Sequence, residues 1–263
     1  MQLQEKIKVR VGLIGYGKAG QAVAQVLAQD ARVELKWIAR QSVPAIDTTA
    51  PPPPAPVLPL VTLLDDATRP RDMDVDAIVD FSSAASIHQY APWVTRHRLT
   101  VVSAISAYGG PEMAKARELG RVSRVMCSPN ITLGINFLIM AARLLRSMAP
   151  FADVEILEQH FRDKPEVSGT ARKIAEQLEL NDEHITSLRL GGIIGHHEVI
   201  FGFPYQTVRI VHDSIRREAF GTGAVFALES LQQLPAGLYT FEDLLLAHAR
   251  KTLALEPQPP AFA

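Results

Sequence analysis

Residues 155–171 read E-I-L-E-Q-H-F-R-D-K-P-E-V-S-G-T-A. His160 is a side chain that can carry a proton near neutral pH. Lys164, four residues on, is a compact fixed cation. Ser168-Gly169-Thr170-Ala171 then opens a helical run through Leu178, and the unpaired N–H groups of a helix start bind carboxylates. A proton donor, a cation and a helix start therefore fall within eleven residues. Together they could hold an anionic substrate and protonate it. The same stretch would also serve as a solvated loop with an ordinary serine N-cap. Taken alone it does not choose between the two.

A second pattern lies upstream. Gly15-Tyr16-Gly17-Lys18-Ala19-Gly20 follows a short apolar run at 9–15 and passes into A-V-A-Q-V-L-A. A G-x-G-x-x-G between a strand and a helix suits a dinucleotide: the first glycine permits the turn, the second lets backbone approach a pyrophosphate, the third lets helix and strand pack closely. After the next apolar run, 33–38, stand Ala39 and Arg40, where an NAD-selective site would place an acid on the ribose. Arg40 could pair with a 2′-phosphate, with Lys18 nearby. That reads as NADPH over NADH, with NADH still possible. The alternative is that Arg40 is a solvated loop cation.

The elements that must position these residues follow from the alternation of short apolar runs and helical stretches. Strands are predicted at 76–81, 99–103 and 122–127, with helices at 84–97 and 111–119. That alternation implies a doubly wound parallel sheet. Ligands bind such sheets at the carboxyl ends of the strands, so Phe81, Ser82, Ala104, Ile105, Ser106, Ser128 and Asn130 are candidate cofactor neighbours. Asn130 also reads as the N-cap of an apolar helix at 135–148. Strand-like runs at 185–190, 197–203 and 207–212 then cluster, which predicts a second α+β domain with a mixed sheet. Helices are predicted at 219–232 and 241–255. The change to clustered strands divides the chain near residue 129, with the nucleotide domain before it and the second domain after. The proline-rich 44–59 reads as an extended surface connection, and the final P-Q-P-P as a frayed tail.

Composition limits the function classes. Of 263 residues, 47% are hydrophobic and 21% charged, which is ordinary for a globular protein. A net charge of −1 offers no basic field for nucleic acid or an acidic membrane. No apolar run reaches membrane-spanning length. The N-terminus lacks an apolar signal core, and one cysteine suits a reducing compartment, so a cytoplasmic protein is expected. His196 and His197 are neighbours on a predicted strand and point to opposite faces. With no cysteine or carboxylate cluster to complete a site, no metal is expected.

In this order and spacing the motifs resemble those of the bacterial dihydrodipicolinate reductase family, also called 4-hydroxy-tetrahydrodipicolinate reductases. They are the glycine loop, D-F-S-S at 80–83, P-N-I-T-L-G-I-N-F at 129–137, E-x-H-x-x-x-K at 158–164, S-G-T-A at 168–171 and R-x-G-x-x-x-G-x-H at 189–197. H-D-S-I-R-R-E-A-F-G-x-G-A at 212–224 and G-L-Y-T-F-E-D-L-L at 237–245 complete the set. The resemblance implies hydride transfer from a nicotinamide to a cyclic imine bearing two carboxylates, in lysine and diaminopimelate biosynthesis. It puts His160 at the proton-donor position, Lys164 at the assisting lysine, and Ser168, Gly169 and Thr170 at the carboxylate-binding turn. It also implies a Rossmann-like nucleotide domain over 1–129 to which 240–263 returns, and a substrate and oligomerisation domain over 130–239 whose sheet builds a homotetramer.

Three departures stand out. Phe161 replaces a polar substrate contact that follows the histidine in many members. Ala104-Ile105-Ser106-Ala107 stands where many have G-T-T-G. The loop from Lys164 to Ser168 is one residue shorter than in the D-A-P-S-G-T form. Phe161 and Ile105 suggest altered substrate recognition, so a relative reducing another cyclic imine or unsaturated acid is the competing expectation. A non-catalytic NADP-binding regulator is the third.

Overall fold

The computed structural model describes residues 8–41, 52–65 and 71–254. In chain order it contains β1 (Val9–Ile14), α1 (Lys18–Gln29), β2 (Val33–Arg40), β3 (Val57–Pro59), α2 (Leu60–Leu64), β4 (Ala77–Asp80), α3 (Ser86–His97), β5 (Thr100–Ser103), α4 (Gly110–Gly120) and β6 (Arg124–Cys127). There follow α5 (Leu133–Met148), β7 (Asp153–His160), α6 (Gly169–Gln177), β8 (Ile185–Arg189), β9 (His196–Phe203) and β10 (Gln206–Asp213). The chain closes with α7 (Glu218–Leu231), β11 (Gly237–Tyr239) and α8 (Phe241–Leu253). Two compact units result: the chain up to Ile131 together with that from Phe220 onward, and Thr132–Ala219.

The first unit holds a seven-stranded sheet ordered β11-β6-β5-β4-β1-β2-β3. Every pairing in it is parallel. A parallel sheet is covered on both faces, so its central strands need apolar side chains on both. β4 and β5 are buried along their whole length, and Val11, Leu13 and Ile14 of β1 are sealed from solvent. β3 is an edge strand, where Pro59 costs no ladder hydrogen bond. Part of the proline-rich stretch is therefore sheet rather than connection; its residues 44–51 lie outside the described residues, as does the P-Q-P-P tail. Residues 220–239, expected with the second domain, belong to the first unit: β11 pairs with β6, Leu238 opposite Val125. α8 is stopped at its start by a capping box between Thr240 and Asp243.

The second unit is a mixed four-stranded sheet ordered β10-β9-β7-β8. β7 runs parallel to β8 and antiparallel to β9, and β9 is antiparallel to β10. Its core joins Ile135, Leu138 and Ile139 of α5 with Ile174 of α6 and with Val154, Ile156, Val199 and Phe201 of the sheet. Asn130 does not cap α5. The N-cap is Thr132, without a side-chain cap bond, and the Asn130 carbonyl accepts from Ser128 Oγ.

Candidate functional site

The nucleotide half is built where β1 ends. Gly15 has φ +93°, and a Cβ there would lie 2.7 Å from the Phe81 backbone. Only glycine makes this turn without strain. Gly20 packs its Cα face on the turn itself, since a Cβ would fall 2.2 Å from the Gly15 carbonyl oxygen. Gly17 is the N-cap of α1, with no side chain bonded to the helix start and nothing within 4 Å of where a Cβ would sit. The start of α1 therefore carries no side-chain cap, as an anion site at a helix start requires.

One recess is lined by Gly15, Tyr16, Gly17, Arg40 and Ser82 together with Ala39. Lys18, Ala19 and Gly20 are not among its lining residues; they form the first turn of α1. Phe81 follows β4 and stacks edge-on against Phe220, ring centroids 6.2 Å apart. Ala104 donates its N–H to the Asp80 carbonyl, and Ile105 beside it is buried at 7% exposure. Ser106 is exposed in the same loop. Ser128 is buried; its N–H goes to Ser103 and its hydroxyl to Asn130. The hydroxyls of Ser82 and Ser128 are thus engaged within the protein, Ser82 Oγ on Asp80 at 2.5 Å.

Asp80 is a residue that sequence reasoning passed over. It is buried, and burial raises its carboxyl above the usual range; hydrogen bonds from Ser82, Tyr90 and Ser103 oppose the rise. It ties the ends of β4 and β5 to α3 through Tyr90.

The other half lies wholly in the second unit. Strand alternation explains its composition: the period that buries Val154 and Ile156 also turns Glu158 and His160 inward. His160 is therefore the last residue of β7, with 7% exposure, and not part of a solvated loop. Its Nδ1 lies 2.5 Å from Glu158 Oε2. Glu158 has no exposed surface. It also accepts from Arg189 on both oxygens, from Ser187 Oγ at 2.7 Å and from the Ser168 N–H at 3.2 Å. Burial pushes its carboxyl up, but these donors outweigh it and hold the group at about 2.

Ser168 caps α6, its Oγ accepting from the Ala171 N–H. The same hydroxyl meets His197 Nε2 at 2.9 Å. The His197 ring stands edge-on to His160, centroids 5.3 Å apart. Burial, and then the neighbouring His160 and His212, lower the His197 imidazole to about 4. Its neighbour His196 diverges and pairs with Asp213 at 2.8 Å. Ser168 is turned inward, whereas Gly169 is exposed and Thr170 half-buried at the open end of α6. Lys164 is half-buried in the turn after β7, and among the described residues its ammonium forms no ion pair. Phe161 is 44% exposed. Gly195 packs against His160: a Cβ there would sit 3.3 Å from His160 Nε2, a tight contact that the ring would have to relieve. Among the described residues no group of three or more His, Cys, Asp or Glu side chains could hold a metal ion.

Glu158, Arg189 and His197 were present in the quoted motifs, but as spacing rather than as chemistry. The parity of Val154, Ile156, Glu158 and His160 was the available signal for Glu158. Arg189 reaches it across the β7–β8 ladder, where His160 pairs with Arg189, and no local pattern gives that register.

A parallel α/β unit with this glycine turn, and an α+β unit holding a buried carboxylate–histidine pair at a helix start, give the chain a two-unit architecture with a turn suited to a dinucleotide. Residues 130–245 match the family model described as "Dihydrodipicolinate reductase, C-terminus". A 4-hydroxy-tetrahydrodipicolinate reductase of Caldanaerobacter subterraneus subsp. tengcongensis is 31% identical over 194 residues, which are 65% of this chain and 77% of that protein. One from Exiguobacterium sibiricum is 29% identical over 259 residues, 90% of this chain and 96% of that protein. The dipicolinate-bound dihydrodipicolinate reductase from Paenisporosarcina sp. TG-14 shares the fold with a TM-score of 0.73 at 22% identity, covering 89% of this chain and 98% of that one. The chain belongs to the 4-hydroxy-tetrahydrodipicolinate reductase family.

Proposed function

We propose that this protein reduces 4-hydroxy-tetrahydrodipicolinate to tetrahydrodipicolinate with NADPH, in lysine and diaminopimelate biosynthesis: the 4-hydroxyl and a ring proton leave as water, and one hydride and one proton then add to the conjugated ring. The observation that carries the reading is the buried Glu158–His160 pair beside the open start of α6, in a member of this family. The glycine turn suits a dinucleotide, because Gly15 and Gly17 leave space where side chains would intrude and α1 presents uncapped amides. Arg40, in the same recess, suits a 2′-phosphate. When bound, the nicotinamide supplies the hydride.

The protein's own residues do the rest. The amides of Gly169 and Thr170, with the Thr170 hydroxyl, take one carboxylate of the ring. The Lys164 ammonium, without an ion pair among the described residues, neutralises further charge. Glu158 occupies His160 Nδ1, so Nε2 is the atom that delivers the proton. Holding a dianion in a fixed orientation removes much of the entropic barrier to both transfers.

A second reading is favoured by Phe161. Its exposed ring next to the proton donor is apolar where a polar contact is expected, which suits another cyclic imine or unsaturated acid. We also place the protein in the cytoplasm and expect a homotetramer formed through the second unit's sheet, where Leu188 and Val211 are exposed. Expression in a bacterium lacking its own reductase should restore growth without added diaminopimelate. Failure to grow, with the protein soluble and NADPH-bound, would favour the second reading.

A further inference from the structure

Arg189 ends β8 directly opposite His160, the last residue of β7. Its guanidinium has five N–H donors in a rigid plane, and each has an acceptor. Nη1 donates to Glu158 Oε2 at 3.0 Å and to the Leu188 carbonyl at 2.9 Å. Nη2 donates to Glu158 Oε1 at 2.9 Å and to the Glu166 carbonyl at 2.7 Å. Nε donates to the Lys164 carbonyl at 3.0 Å. One side chain therefore grips the carboxylate under the His160 ring and the backbone on which Lys164 is carried. The same carboxylate accepts the Ser168 N–H at the start of α6. Proton donor, cation and helix start share a single hub.

From this geometry we infer that Arg189 is the positioning residue of the site, fixing His160 through Glu158 and the Lys164 segment through two carbonyls. It touches neither substrate nor cofactor; it acts through the residues it holds. The inference rests on the proposed reduction and adds a residue to it. A lysine keeps the charge opposite Glu158 but has no planar fork, so it cannot reach the carboxylate and both carbonyls together. Displacement of a catalytic group by about 1 Å can cost about a hundredfold in rate.

The test compares wild type with Arg189→Lys and Arg189→Leu in steady-state kinetics and in 15N NMR of the histidine imidazoles. The conservative variant is included because truncation beside a buried carboxylate can prevent folding. The expected result for Arg189→Lys is a kcat at least tenfold lower, a raised KM for the dicarboxylate and an unchanged NADPH Kd. The His160 ring nitrogens should pass from one defined species, with Nδ1 protonated, to an exchange-broadened mixture. Wild-type kcat, KM and His160 signals in Arg189→Lys, with only the melting temperature lowered, would overturn the inference and leave Arg189 a structural ion pair. If wild type itself fails to reduce the substrate, the proposed function falls; the NMR comparison, which needs no substrate, still decides the role of Arg189.

Discussion

Taking a carboxylate out of water costs several kcal/mol unless donors replace its hydration. Glu158 meets that condition with Arg189, Ser187, His160 and the Ser168 N–H, and its charge is retained without any exposed surface. The consequence for chemistry is orientation: His160 cannot turn its Nδ1 elsewhere without leaving a buried charge short of a donor. Two substitutions probe this neighbourhood. Gly195→Ala would put a methyl 3.3 Å from His160 Nε2, displacing the ring slightly, so we expect kcat to fall by about a few fold with the fold intact by circular dichroism. Lys164→Ala should lower kcat/KM by about a hundredfold while NADPH affinity, measured by fluorescence titration, stays within about twofold of wild type. Unchanged activity would remove Lys164 from the substrate site.

Elements decide where these residues stand. β7 brings Glu158 and His160 inward by period two, α6 turns its amides outward beside them, and β8 delivers Arg189 from across the ladder. In the first unit the end of β2 carries Arg40 into the recess beside the glycine turn. Arg40→Asp should therefore weaken NADPH far more than NADH, read from the two Kd values by titration; equal losses would refute the 2′-phosphate role. Much of this was legible in the sequence, because parallel strands buried on both faces show as short apolar runs and glycine at φ +93° has no substitute. The sequence left open a solvated loop around His160 because Leu157 and Gln159, half-buried on the opposite face, blur the end of the strand. Residues 220–239 were assigned to the wrong unit because β11 is three residues long and finds its place only by pairing with β6. Register across strands is a property of the folded chain, and the contact of Arg189 with Glu158 was invisible for that reason.

At the scale of the whole molecule, the buried groups make stability depend on pH. The His197 imidazole is held at about 4 against an ordinary 6.5, so the unfolded chain takes up its proton first. Its contribution is full above pH 6.5 and is lost as pH falls from there to about 4, on the order of 3 kcal/mol. Glu158, held at about 2, loses its own contribution between pH 4.5 and 2. Asp80, raised by burial, acts with the opposite sign in the first unit. Urea unfolding followed at pH 7 and pH 5 should show the second unit weakening with acid. His197→Gln should flatten that loss; an equal acid sensitivity in this variant would remove His197 as its source.

Both units must serve one reaction for the proposed function to stand. The direct measurement mixes purified protein, NADPH and freshly generated 4-hydroxy-tetrahydrodipicolinate, and follows the nicotinamide absorbance. The expected result is a steady, enzyme-dependent loss. A flat trace from protein shown to bind NADPH would contradict it.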